Sequence, residues 1–88
     1  MGGKSMVKTI STCITTVSSL RKQTFDDNNG RCRHLLVFWD ECGMRYRVFW
    51  DVPGIEFVKE GESIIVESFW NDLSDHTERY VRYIAPVR

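Results

Sequence analysis

The sequence predicts one all-β domain, a five-stranded barrel, and three features carry that prediction. β-Branched residues crowd the N-terminal part. Asn-Gly, Cys-Gly and Pro-Gly pairs punctuate the chain at short intervals. No segment keeps a long, capped apolar period of 3.6 residues. Short strands joined by tight turns pack as a barrel or a sandwich.

The elements follow in order. Met1 to Ser5 reads as disordered. Met6 to Leu20 is dense in Thr, Ile and Val, which lose side-chain freedom in a helix and fit a pleated strand. Ser18-Ser19 is a bend, after which the first strand resumes to Phe25. Asp26 to Gly30 is a hairpin turn, because Asn29-Gly30 adopts positive φ cheaply. Arg31 to Glu41 is the second strand, Cys42-Gly43 a two-residue turn, and Met44 to Asp51 the third strand. Pro53-Gly54 ends it. Residues 55–62 form a connector with room for one helical turn. Ser63 to Trp70 is the fourth strand, Asn71 to His76 a polar loop, and Thr77 to Ala85 the fifth strand, stopped by Pro86. A short echo runs through the middle. Val37-Phe38-Trp39-Asp40-x-x-Gly43 recurs as Val48-Phe49-Trp50-Asp51-x-x-Gly54.

The 88 residues are enough for a single domain, spanning 1–88. No apolar run approaches the roughly 18 residues a membrane helix needs, so no membrane partner is expected. The first residues lack the apolar stretch of a secretory signal, and Met6 stands where a myristoylation signal wants Ser or Thr. Cys13, Cys32 and Cys42 are odd in number and form no CxxC pair, which points to a reduced intracellular compartment, cytoplasmic or nuclear. Cys32, His34, Cys42 and His76 match no standard zinc spacing. No metal or other cofactor is expected. Net charge is zero but unevenly spread. Residues 1–50 carry eight Lys/Arg and four Asp/Glu, or +4, and residues 51–88 carry four and eight, or −4. A fold that separates these segments presents one basic face to a polyanion. If they interleave, the charges pair off.

The central hairpin is the most informative segment. With Cys42-Gly43 as the turn, Asp40 lies opposite Arg45 and His34 opposite Asp51, two complementary cross-strand pairs. Side chains alternate across a strand. One face then carries Leu35, Val37, Trp39, Met44, Tyr46, Val48 and Trp50, and is the core. The other carries His34, Leu36, Phe38, Asp40, Arg45, Arg47, Phe49 and Asp51. An exposed apolar patch rimmed by charge marks a binding surface. Aromatic rings interleaved with arginines suit single-stranded nucleic acid, since bases stack on rings and guanidinium groups hold phosphates. Arg31 and Arg33 extend that character along the second strand, and Arg79 and Arg82 add to it from the fifth. The alternative for Leu36, Phe38 and Phe49 is a second small core or a dimer interface.

The strand order resembles that of the OB fold, with its long bent first strand, meander, connector and two final strands. The match runs from about Val7 to Pro86. Phe57-Val58-Lys59-Glu60-Gly61-Glu62-Ser63-Ile64-Ile65-Val66 is similar to the approach to the fourth strand in many OB domains. The resemblance implies an OB-like Greek-key β-barrel. In single-stranded DNA-binding and replication protein A-like members the ligand crosses strands two and three, with loops closing over it. Carried over, that implies Phe38, Arg45, Arg47 and Phe49 on the sheet, and residues near 28–31 and 71–76 in the loops.

Catalytic signatures are missing. There is no GxxxxGK[ST], HExxH or GxGxxG. His34 opposite Asp51 reads as a structural pair. Asp72, Asp75 and His76 read as a solvated loop. Cys42 sits beside Asp40 and Glu41, which disfavour a thiolate. The chain is therefore expected not to be an enzyme. Two functions fit. One is a single-stranded DNA- or RNA-binding module using Arg31, Arg33, Phe38, Arg45, Arg47, Phe49 and Arg82. The other is a protein-interaction β-barrel, a subunit of a larger complex or a homodimer, using the same patch.

Overall fold

The computed structural model describes residues 10–70 and 78–87. The expectations for residues 1–9, for the loop Asn71 to His76 and for Thr77 lie outside them. The chain is all-β. Its strands are β1 (Ile10–Thr16), β2 (Ser19–Asp26), β3 (Cys32–Trp39), β4 (Arg45–Phe49), β5 (Ser63–Trp70) and β6 (Glu78–Pro86). One 3-10 turn, Ile55–Phe57, occupies the connector between β4 and β5. No helix among the described residues is long and apolar enough to cross a membrane.

The strands form one mixed sheet in the order β1-β5-β6-β4-β3-β2. Neighbours are antiparallel except β4 and β6, which are parallel. This corrects the strand count from five to six, and the closed barrel to an open sheet in which no ladder joins β1 to β2 among the described residues. The cause lies at Val17-Ser18. Val17 exchanges backbone hydrogen bonds with the turn before β5, its N–H donating to Glu62 and its carbonyl accepting from Gly61. The next N–H, of Ser18, donates to Trp39 of β3. One extended segment thus changes partner within two residues, and its halves become the two edges of the sheet.

The main core cluster lies on one face, while Leu35 and Val37 are buried on the other. Val17, Phe38, Tyr46, Val48, Val52, Val58, Ile64, Val66, Val81 and Ile84 are buried together. The rings of Phe38 and Tyr46 stack, with centroids 4.7 Å apart and planes 9° from parallel. Truncating a core ring such as Phe38 to Ala costs about 3–5 kcal/mol in comparable sites.

The hairpin register differs from the expected one by a single residue. Phe38 pairs with Tyr46 and Trp39 with Arg45. Arg45 is therefore not opposite Asp40, and the ladder ends at Leu35–Phe49, before His34 and Asp51. The turn explains the shift. No described non-glycine residue has positive φ, so a two-residue turn needing it at Cys42 is excluded. Instead the Gly43 N–H donates to the Asp40 carbonyl, the Asp40 N–H donates to Met44, and Gly43 takes φ +87°. This is a three-residue loop closed by a glycine bulge. It moves Leu36 and Phe38 into the core, and turns Leu35, Val37 and Trp39 to the outer face with Arg45, Arg47 and Phe49.

Candidate functional site

The outer face of β2, β3 and β4 continues onto β6 and β5. β2 contributes Arg21 and Phe25, paired with Val37 and Arg33 of β3. β4 contributes Arg45, Arg47 and Phe49. β6 sets Glu78 beside Arg45 and Tyr80 beside Arg47, and Phe69 of β5 pairs with Tyr80. Each position follows from strand alternation once the register is set.

These residues build a stripe of rings across the strands. Phe69 meets Tyr80 at 5.9 Å, Tyr80 meets Phe49 at 6.3 Å, and Phe49 meets Phe25 at 5.9 Å in an edge-to-face contact. Trp50, just past β4, closes the row at 6.0 Å from both Phe25 and Phe49. Phe25, Phe49, Phe69 and Tyr80 are half-buried, while Trp50 is 40% exposed. Ring pairs at such offsets attract through their quadrupoles and hold one another in place.

Guanidinium groups flank the stripe. Arg33 lies 4.7 Å over the Trp50 ring, steered there by an ion pair with Asp27 at 2.9 Å. Arg47 lies 5.6 Å over Tyr80, and Arg21 lies 6.0 Å from Trp39. Stacked arginines of this kind keep their charge and planar face available. Glu78 is buried between Arg45 Nε at 3.3 Å and an Arg47 terminal nitrogen at 2.9 Å. Arg45 Nε, Arg47 Nε and Glu78 Oε2 are buried without a hydrogen bond of good geometry, so charge rather than alignment holds this trio.

Two other groups are tuned by their surroundings. The Arg31 backbone N–H, then the Arg33 side chain, hold the Asp27 carboxyl below the usual carboxylate range. Burial pushes the Tyr46 phenol up, where it donates to Asp40 at 3.3 Å.

Of the residues expected at the site, Arg33, Arg45, Arg47 and Phe49 come together on this face. Arg31 is exposed at the end of the β2–β3 turn. Phe38 does not belong to the site, because the glycine bulge turns it inward and it is fully buried. Arg82 pairs instead with Glu67 of β5 at 3.2 Å. Arg79 turns inward, donating to Ser68 Oγ at 2.7 Å and stacking 4.4 Å over Trp70. Charge balance does not separate the faces cleanly, since the basic β4 pair is met by an acid from the C-terminal half.

No family model, curated protein or solved structure matches this chain.

Phe25, Trp50, Phe69, Tyr80 and Glu78 were not among the expected site residues. Phe25 was recoverable from local signals, because Asp27-x-x-Gly30 repeats the Asp40-x-x-Gly43 turn and sets Phe25 opposite Arg33. Tyr80 and Glu78 were not, because only the parallel β4–β6 pairing brings them here. Among the described residues, no three His, Cys, Asp or Glu side chains converge as a metal site.

Proposed function

We propose that the chain is a single-stranded nucleic-acid-binding module, not an enzyme, whose ligand crosses the outer face from β6 toward β2. The observation that carries this is the stripe of Tyr80, Phe49, Phe25 and Trp50 with Arg47 and Arg33 stacked on its outer members. Flat rings accept any base by stacking, and the guanidinium groups lie where phosphates of a strand over those rings would run. The strand order supports an OB-like Greek-key reading. One bent N-terminal segment supplies both sheet edges, and β4 runs parallel to β6.

Tryptophan fluorescence during titration with a short oligothymidine tests the proposal, at low and then high salt. Saturable quenching that weakens steeply with salt is the expected result, since each phosphate contact on a single strand adds about 0.7 to the log–log slope. Phe49→Ala, checked for folding by circular dichroism, is expected to weaken binding about 5- to 150-fold, the range of one lost base stack. Silence toward oligothymidine, single-stranded RNA and duplex at roughly tens of micromolar overturns the proposal. A protein partner at the same face is then the better reading, and one observation already favours it: Glu78 neutralises part of the charge of Arg45 and Arg47.

A further inference from the structure

A groove of about 330 Å³ opens beside Trp50, where the ring stripe ends, and reaches round to the side of the sheet that Leu36 faces; it is lined by Lys22, His34, Leu35, Leu36, Trp50 and Ile55. β2, which carries Lys22, is an edge strand of the sheet. Lys22 pairs with Leu36, and His34 sits two residues before Leu36 on the same face. Leu35 is buried, Leu36 and Ile55 are half-buried, and Lys22 and His34 are exposed. The floor is therefore aliphatic, one wall is an indole, and the rim carries a lysine and an imidazole.

Trp50 belongs to both features, as the last ring of the stripe and as the wall of the groove. Neither Lys22 nor His34 joins an ion pair among the described residues, whereas Arg33, Arg45, Arg47 and Arg82 all do. A volume near 330 Å³ is at the lower end of the roughly 300–1,000 Å³ typical of small-ligand pockets, room for one planar ring system. An apolar slot with an aromatic wall and a free cation at its mouth fits a nucleobase with an adjoining phosphate. We infer that the groove takes one purine base turned out of the strand on the stripe, with the neighbouring phosphate on Lys22. The indole gives this base its stacking surface, and a fused purine ring covers more of that surface than a pyrimidine does.

This inference rests on the nucleic-acid proposal, and one experiment separates the two. 2-Aminopurine is placed at each position of an oligothymidine in turn, and affinity and probe emission are read against the full chain. The expected result is a single position at which the purine binds about fivefold tighter than thymine, near the lower end of one base–aromatic stack, with its emission quenched. Ile55→Trp, which fills the slot, is expected to abolish that preference and leave oligothymidine binding intact. Lys22→Glu, at an exposed position, is expected to weaken the purine-containing strand more than oligothymidine. A flat scan with oligothymidine still bound overturns the groove assignment alone, as does a preference that survives both variants. Loss of all oligonucleotide binding in the unaltered chain overturns the underlying proposal as well.

Discussion

Glu78 lies at the start of β6 and accepts charge from two arginines of β4, with only 9% of its side chain exposed. The arginine side chains are 43% and 32% exposed, so water already screens part of their attraction. Glu78→Gln keeps the shape and removes the negative charge. It leaves two guanidinium groups side by side without their counter-charge, and is expected to lower stability by about 1–2 kcal/mol in denaturant unfolding. The same change is expected to tighten oligothymidine binding and steepen its salt dependence by about one phosphate contact. An unchanged salt slope means that Arg45 and Arg47 do not face the ligand. The arginines were legible from the hairpin sequence. Their acidic partner was not, because nothing near Arg45 or Arg47 in the chain announces a carboxylate arriving from the last strand.

At the scale of elements, two turns of the same design set the faces of the sheet. Asp27 accepts from the backbone N–H groups of Asn29 and Arg31 at 2.8 and 2.9 Å, and Asp40 from those of Cys42 and Met44 at the same distances. Gly30 and Gly43 hold positive φ and close each loop. Because the native environment lowers the Asp27 pKa, its contribution is complete above the ordinary carboxylate value near 3.8. It is lost as pH falls through the lower native value. Asp27→Asn is therefore expected to melt at a lower temperature than the unaltered chain near pH 6, with the two curves converging as pH falls through and below the lowered native value. A difference that persists undiminished into acid means that the carboxylate charge does not brace this turn. The glycines were legible as turn residues. The loop length was misjudged by one, and in a strand that error exchanges the two faces. It explains why the echoed segments point opposite ways, with Phe38 fully buried and Phe49 half-buried on the ring-bearing face.

At the scale of the whole molecule, the connector is tied to the last strand at one close approach. Gly54 takes φ +90°, and a side-chain carbon there would overlap the Ile84 carbonyl. The Ile84 N–H donates to Pro53 at 2.9 Å, locking the same contact. Gly54→Ala is expected to cost about 2–4 kcal/mol, from backbone strain and from displacing β6 off the connector. Thermal or urea unfolding measures it, and a neutral effect means that the β6–connector contact is loose. Displacing β6 also separates Tyr80 from Phe49 and Glu78 from Arg47, so the variant is expected to lose ligand affinity along with stability.

The β-branched runs, the Asn29-Gly30 and Cys42-Gly43 pairs and Pro53-Gly54 determined by themselves that this chain is all-β, and they placed four strand regions and the bend near Ser18 to within a few residues. Such signals act through each residue's own backbone preferences, so they are readable locally. Only the tertiary structure decided that the first segment serves both edges of an open sheet, that Phe38 is core, and that Tyr80 and Glu78 meet the β4 arginines. Those outcomes depend on hydrogen-bond partners far apart in the chain and on a single-residue register, which no local pattern encodes.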